Sequence, residues 1–271
     1  MSTALIDHHA HWVPPELVEL LAGRTTPPCL VEAPDGTVWF TPDGERRFAP
    51  RFANDDVATR LAAMERAGVA HQMLSLAVVL GVFPAELPAT LEESVVAATN
   101  QGFARLARAR PDRFSALALL PTHAPDQAAA VLEDAVTRLG LRGAILPADG
   151  FADAATARRY ADVLAVAERL EVELFVHPAP LPGAAPAPPA PDPVTMIRRR
   201  AAGFQDSLTQ AALTLAFDDL LAPHPRLRVR LANLGGSIAL LSERIAASAA
   251  RMGLPPGWEA MWDAGSGDIY Y

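Results

Sequence analysis

The sequence predicts an α/β protein in which parallel strands alternate with helices. Short apolar runs, such as FSALALL at residues 114–120 and VELFV at 172–176, alternate with longer segments of helical periodicity. The chain has 271 residues, of which 51% are hydrophobic, so it can bury a large core. Repeated strand and helix units form either a closed barrel or an open sheet, and the alternation alone leaves both architectures possible.

Local signals place each element. The helix predicted at residues 55–67 carries Val57, Leu61 and Met64 on one face and ends at Gly68. The helix predicted at 125–139 begins with Pro-Asp, which suits a first turn, and stops at Gly140. Apolar runs predict strands at residues 4–7, 69–77, 114–120, 141–146, 172–176 and 227–232, and the opening of a seventh at 268–271. The other predicted helices are residues 89–109, 154–170, 203–221 and 236–251.

The length favours one domain that covers residues 1–271. The segment LPGAAPAPPAPDP at residues 181–193 has too many prolines for a helix or a strand, so we expect a long loop after the fifth strand. Such a loop is either a flexible insertion or a lid, and we favour the insertion.

Composition excludes several classes of partner and chemistry. The formal net charge is −8, whereas nucleic-acid binding rests on clustered Lys and Arg. The sequence contains no lysine, which excludes Schiff-base chemistry. The single cysteine, Cys29, permits neither an internal disulfide nor a cysteine-based zinc site. The sequence shows no export signal and no uninterrupted apolar stretch of about 18 residues, so we expect a cytoplasmic protein without membrane contact.

The candidate chemistry begins with two histidines at the end of the first predicted strand. Residues two apart on a strand point to the same face, so His9 and His11 would direct their imidazoles to one place. Neutral imidazole suits zinc and other borderline divalent ions. His177 follows the fifth predicted strand and could supply a third ligand at the same barrel mouth. The alternative is that these histidines are exposed or packed in the core without a metal, since an HxH pattern by itself is weak evidence of metal binding.

Three segments resemble one known family. The opening IDHHAHWVPPELVELL, the strand ending FVHP and the run FDDLLAPHPRLRVRLANLGGSIALLSERI are similar to the amidohydrolase-related family typified by aminocarboxymuconate-semialdehyde decarboxylase. The resemblance covers nearly the whole chain and implies a distorted (β/α)8 TIM barrel of the metal-dependent hydrolase type. It also implies a homodimer and one divalent metal, usually zinc, with His9, His11 and His177 as ligands. Family members decarboxylate small acids without oxidation or hydrolyse small substrates.

Two features depart from the family pattern. Where the family has a histidine in an A-H-x-G-G motif at the end of strand six, this chain has ANLGG at residues 232–236. Asn233 is a weak metal donor and cannot shuttle a proton, although it could orient a substrate carbonyl. The family's final metal-binding Asp after strand eight has no counterpart, because the sequence ends near the seventh strand. The chain is therefore either part of a longer one or a barrel that lacks its last strand.

Several other residues are candidates for substrate binding. Arg244 lies where the decarboxylases place an arginine that reaches a neighbouring subunit's pocket and holds a carboxylate, or it forms a solvated helix face with Glu243. Arg47 and Arg51 stand near a family arginine and could also bind a carboxylate. Trp12 could stack on a conjugated substrate or pack beneath a loop.

The remaining polar candidates have mostly structural interpretations. His8 should point away from the metal, while Asp7 could hydrogen-bond a ligating imidazole. His71 begins a strand and is expected to be structural, and His224 stands between two prolines at the surface. His123 follows the third predicted strand, nearer the mouth, where contact with substrate is one option.

Three functions are compatible with these residues. The first is a metal-dependent carboxy-lyase that acts on a small carboxylated aromatic or conjugated acid. The second is a hydrolase of the same superfamily, acting on an ester, lactone or amide, which would need the carboxylate base. The third is a metal-independent or non-catalytic homologue, motivated by Asn233 and the early end of the sequence.

Overall fold

The computed structural model describes residues 5–34, 38–41, 56–76, 87–184, 193–254 and 269–270. The strands are β1 Leu5–His11, β2 Cys29–Glu32, β3 Val38–Thr41, β4 Val69–Ser75, β5 Phe114–Ala116, β6 Ala118–Leu119, β7 Gly143–Pro147, β8 Glu173–His177, β9 Arg228–Leu231 and β10 Ile269–Tyr270. The helices are α1 Pro15–Ala22, α2 Val57–Ala67, α3 Ala89–Ala109, α4 Pro125–Thr137, α5 Ala154–Ala157, α6 Ala161–Arg169, α7 Pro193–Arg198, α8 Phe204–Phe217 and α9 Ile238–Arg251.

The chain divides into two compact units that are interleaved in sequence. The first comprises Met1–Ala124, Asp134–Ile145 and Pro182–Ala190, and the second comprises Pro125–Glu133, Leu146–Leu181 and Pro191–Tyr271. Our expectation of a single domain stays a prediction. The proline-rich segment at residues 181–193 is described only at its two ends, because residues 185–192 lie outside the described part of the chain.

A parallel sheet forms the centre of the first unit, in the order β1-β4-β5. Leu117 continues the ladder between β5 and β6, since its N–H donates to the Leu74 carbonyl. Helix α2 begins at Asp56, whose carboxylate accepts from the Thr59 N–H, and ends at Gly68, where φ is 68°. Gly102 of α3 allows the start of α1 to pack closely, because a Cβ atom at position 102 would lie 2.3 Å from the Cβ of Pro14, the residue before α1.

The second unit is built on the parallel strands β8, β9 and β10. The pairing aligns Phe175 with Arg230 and Val176 with Leu231. Buried apolar side chains fill this unit, and they include Leu174, Phe175, Val229 and Leu231 of the strands and Leu208 and Leu215 of α8. Their burial removes apolar surface from water, which is the main favourable term in folding.

Most predicted elements are confirmed, with different ends. The first strand is longer than predicted and contains both His9 and His11, and the helix predicted at 154–170 is interrupted by a 3-10 turn at Arg158–Tyr160. The opening of a strand predicted at 268–271 is found as β10. The sequence patterns missed α1 and the antiparallel pair β2 and β3, which contain few periodic apolar positions. Within the described ranges, no helix has the length and apolar character needed to cross a membrane.

Candidate metal site and its surroundings

Strand β1 brings the first two predicted ligands together. The Nε2 atoms of His9 and His11 lie 3.0 Å apart, and the two rings are nearly perpendicular, with an interplanar angle of 88°. The side chains of His9 and His11 therefore converge, as expected for residues two apart on a strand. A register irregularity between Asp7 and Ala10 accompanies this arrangement, so the strand does not run as a regular ladder past His9.

The spacing and chemistry of the pair fit a divalent ion. Two imidazole nitrogens bound tetrahedrally to zinc, each at about 2.05 Å, would lie about 3.3 Å apart, close to the observed separation. Burial and the neighbouring His9 lower the pKa of the His11 imidazole to about 4. A neutral imidazole is the form that binds metal. The Nδ1 atom of His11 lies 3.1 Å from the Ser75 Oγ, which leaves Nε2 directed toward His9.

Polar side chains, of which Arg60 is buried, hold the strand that carries the pair. The Asp7 carboxylate accepts from the His9 N–H at 3.1 Å and from Gln72 Nε2 at 3.0 Å. Gln72 Oε1 in turn accepts from Arg60 Nη1 at 3.1 Å, and Arg60 Nη2 donates to the His11 carbonyl oxygen at 2.7 Å. Arg60 is 7% exposed. Sequence reasoning anticipated a supporting role for Asp7 but missed Arg60 and Gln72, because helical position alone gave no sign that Arg60 points inward.

In the second unit, His177 is the last residue of β8 and is 8% exposed. Its Nδ1 atom lies 3.2 Å from the Pro178 carbonyl oxygen, and its ring meets the Phe175 ring edge-on at 5.7 Å between centroids. A carbonyl acceptor at Nδ1 favours the tautomer with the proton on Nδ1, in which Nε2 carries the lone pair. Arg230 lies next to this strand, with its guanidinium carbon 4.0 Å from the Phe175 ring centre and an ion pair to Glu173 at 2.8 Å.

The segment after β9 has an unusual backbone. Asn233, Leu234, Gly235 and Gly236 have φ values of 49°, 58°, 71° and 73°, all in the left-handed region. Asn tolerates this region better than most residues. Only glycine fits at 236, because a Cβ atom there would lie 2.3 Å from the Gln205 carbonyl oxygen of α8. The Ala232 N–H donates to the Val176 carbonyl, so the residues that follow β8 and β9 leave the sheet side by side.

The residues predicted to bind substrate lie in different environments. Trp12 is 3% exposed and packs against Phe103 with 6.2 Å between ring centroids, the arrangement expected of an aromatic side chain packed in the core. Arg244 is exposed on α9 and lines a cavity of about 340 Å³ between α8 and α9. Arg47 and Arg51 lie outside the described residues.

A buried glutamate beside His123 is a feature that sequence reasoning missed. Glu92, in the first turn of α3, is 3% exposed and accepts hydrogen bonds from the Thr122 N–H at 2.6 Å and the Thr122 hydroxyl at 3.0 Å. It also accepts from the His123 N–H at 3.1 Å, and its Oε1 lies 3.2 Å from His123 Nδ1. Glu92 and His123 stand 31 positions apart, so no local pattern could pair them.

The sequence places this chain in a known family. Residues 6–264 match the amidohydrolase family, so the chain belongs to it. The chain is therefore an α/β protein of an enzyme family, which confirms the predicted fold class and the resemblance on which it rested.

Named relatives of this chain are decarboxylases. The chain is 31% identical to the gamma-resorcylate decarboxylase of Rhodococcus jostii over 172 residues, which cover 56% of this chain and 48% of that one. It is 29% identical to the gamma-resorcylate decarboxylase of Rhizobium radiobacter over 212 residues, 74% of this chain and 62% of that one. The aligned part thus spans roughly half to three fifths of these curated relatives.

A solved structure shows the same fold. The dihydroxybenzoic acid decarboxylase of Polaromonas sp. JS666, crystallised with manganese and the inhibitor 2-nitroresorcinol, superposes with a TM-score of 0.61 at 20% identity. The superposition covers 90% of this chain and 69% of that one. At this identity the likeness establishes the fold, whereas activity must be argued from the residues of this chain.

Proposed function

We propose that this protein is a metal-dependent, non-oxidative decarboxylase of a small carboxylated aromatic acid. The observation that carries the proposal is the pair of imidazoles on β1, whose Nε2 atoms lie 3.0 Å apart at the carboxyl end of a parallel strand. Active sites of barrel enzymes lie at this end of the strands. The names of the relatives support decarboxylation as the reaction.

His9, His11 and His177 are the proposed ligands of one divalent ion, with zinc as the first candidate. His11 and His177 end parallel strands, and His9 lies two residues before the end of β1. His11 and His177 have their Nδ1 atoms beside an acceptor, which would direct Nε2 to a metal. A bound divalent ion would supply Lewis acidity toward a carboxylate or phenolate oxygen. The role of this chain's own residues is to hold the ion in one place and to orient the acid beside it.

The substrate side of the proposal rests on residues that the sequence singles out. Asn233, exposed at the end of β9, would orient the substrate by hydrogen bonding, since an amide cannot transfer a proton. Arg244, Arg47 and Arg51 are proposed to bind substrate carboxylate, as the family resemblance implies. The main-chain N–H of Trp12 donates to the Ser75 carbonyl, which fixes the backbone directly after His11.

Metal content and turnover test the proposal together. We would purify the natural chain, measure bound divalent metal by elemental analysis, and follow loss of gamma-resorcylate by chromatography. We expect about one ion per chain and conversion to the decarboxylated phenol. The double variant His9→Ala/His11→Ala should lose both metal and turnover. His8→Ala is the matched control, because His8 is an exposed histidine of the same strand.

The alternatives give different results in the same experiment. A chain that binds metal and hydrolyses 4-nitrophenyl acetate but leaves gamma-resorcylate intact would be a hydrolase. A chain that binds no metal after supplementation would be the altered-function homologue. Metal retained by the double variant would refute the ligand assignment.

Two further properties are proposals that rest on sequence and resemblance. We propose a homodimer, which light scattering at several concentrations would test. We propose a cytoplasmic location, which fractionation of producing cells would test.

A further inference from the structure

The histidine that follows β6 has a carboxylate partner. His123 Nδ1 lies 3.2 Å from the Glu92 Oε1, and the Glu92 side chain is only 4% exposed, whereas that of His123 is 23% exposed. Glu92 accepts from two main-chain N–H groups and a hydroxyl as well, so its position is fixed independently of the imidazole. A carboxylate acceptor that holds Nδ1–H orients the ring and leaves Nε2 as the nitrogen that exchanges a proton with a ligand.

The topology of the first unit places this histidine beyond the carboxyl ends of the strands, as it does the β1 pair. Strand β1 is parallel to β4, and β4 is parallel to β5, which Leu117 continues into β6. His11 ends β1, and His123 follows the end of β6 by four positions. The pairing sets His11 opposite Ser75 and Leu74 opposite Ala116, so β6 and His123 continue past the level of His11 toward the carboxyl edge, two strand spacings of about 4.8 Å away from β1.

From the Glu92 contact and this strand order, we infer that His123 is the proton donor of the decarboxylation, oriented by Glu92. The inference rests on the proposed function and adds a residue to it. It also supplies a group that can transfer a proton, which Asn233, in place of the family histidine, cannot do.

The step balances without any further reactant. The Nε2–H of a doubly protonated His123 moves to the ring carbon that bears the carboxylate. The bond from that carbon to the carboxylate then breaks, its electron pair restores the aromatic ring, and carbon dioxide leaves. His123, now neutral with its remaining proton on Nδ1 facing Glu92, recovers a proton from water. The sum is one carboxylate and one proton converted into one C–H bond and carbon dioxide.

The substitution His123→Asn tests this role with little disturbance. The Asn amide nitrogen replaces Nδ1 as a donor to Glu92, whereas the group corresponding to Nε2 is lost. We expect kcat for gamma-resorcylate to fall about 100-fold or more, with KM little changed, because general acid catalysis contributes about 10²–10⁴-fold. His224→Asn is the matched control, since His224 Nδ1 faces Glu168 at the same distance of 3.2 Å on the amino-terminal side of β9.

A second measurement does not depend on turnover. In the natural chain labelled with ¹⁵N, we would record the histidine ring resonances while adding 2-nitroresorcinol to the metal-loaded protein. Contact with the ligand should shift the Nε2 and Cε1–H signals of His123 and leave those of His224 in place. Imidazole added to His123→Ala should restore part of the lost rate, which a purely structural role would not allow.

The outcomes separate the inference from the proposed function. If the His123→Asn variant decarboxylates gamma-resorcylate at the rate of the natural chain, the inference is wrong and the proposed function stands. A metal-loaded natural chain that converts no carboxylated acid would overturn the proposed function, and this inference with it.

Discussion

The guanidinium of Arg60 donates a hydrogen bond from Nη2 to the main-chain carbonyl oxygen of His11 over 2.7 Å. The same guanidinium holds Gln72, which donates to Asp7, whose carboxylate accepts from the His9 N–H. One buried cation on α2 therefore restrains the backbone at both proposed ligands. Residues that restrain ligands in this way affect metal affinity without contacting the ion.

We predict that Arg60→Met weakens metal binding by about 10–100-fold, the range found when supporting partners of ligands are removed. Methionine fills part of the volume but offers no hydrogen bond to the His11 carbonyl. Competition with a chromophoric chelator would give the affinity. Arg66→Met on the exposed part of the same helix is the control and should bind metal as the natural chain does. Equal affinities for the two variants would contradict the prediction.

Asn233→His should tighten metal binding if the site lost a ligand at this position. Histidine is among the residues that tolerate the left-handed backbone region, and φ at Asn233 is 49°, so the substitution should fold. Titration of the metal-free variant would measure the change. An affinity equal to that of the natural chain would place Asn233 outside the coordination sphere and leave it as a substrate-orienting residue.

Gly236→Ala should destabilise the protein far more than Gly253→Ala. Both glycines have a left-handed φ, 73° and 69°, so each substitution carries a backbone cost of about 1–2 kcal/mol. At Gly236 the new methyl group would also lie 2.3 Å from the Gln205 carbonyl oxygen, whereas nothing lies within 4 Å at Gly253. Thermal unfolding should separate the two variants by at least several degrees, because 1 kcal/mol corresponds to roughly 2–4 °C in a chain of this size. Equal melting temperatures would show that α8 can move away.

The metal-free protein should lose stability as the pH falls from about 6.5 to about 4. The pKa of His11 is lowered to about 4 in the folded chain, from an ordinary value of 6.5, so the unfolded chain binds a proton first. This contribution is fully present above pH 6.5 and lost as the pH falls toward 4. Its upper limit is between about 3 and 4 kcal/mol, since each pKa unit corresponds to about 1.4 kcal/mol.

Urea unfolding at pH 7.5 and pH 5, in the presence of a chelator, measures this effect. His11→Asn removes the titrating group, so the variant should show a smaller difference between the two pH values than the natural chain. A difference of the same size in both would assign the pH dependence to other groups.

Local periodicity was sufficient for most helices and strands of this protein. The helix at residues 89–109 was predicted with the ends that α3 has, because its buried positions recur at helical spacing. The convergence of His9 and His11 also followed from sequence, since residues two apart on a strand share a face. The helix α1 and the hairpin of β2 and β3 were missed, because short elements offer too few positions to show a period.

The sequence by itself determined the fold class, the order of the main elements and the histidines that are candidates for a metal. The tertiary structure decided which polar groups support or accompany them: Ser75 beside His11, Arg60 on the His11 carbonyl, and Glu92 beside His123. These partners lie 64, 49 and 31 positions apart in the chain. Hydrophobic periodicity reports only which face of one element is buried, whereas contacts at such separations depend on how whole elements pack.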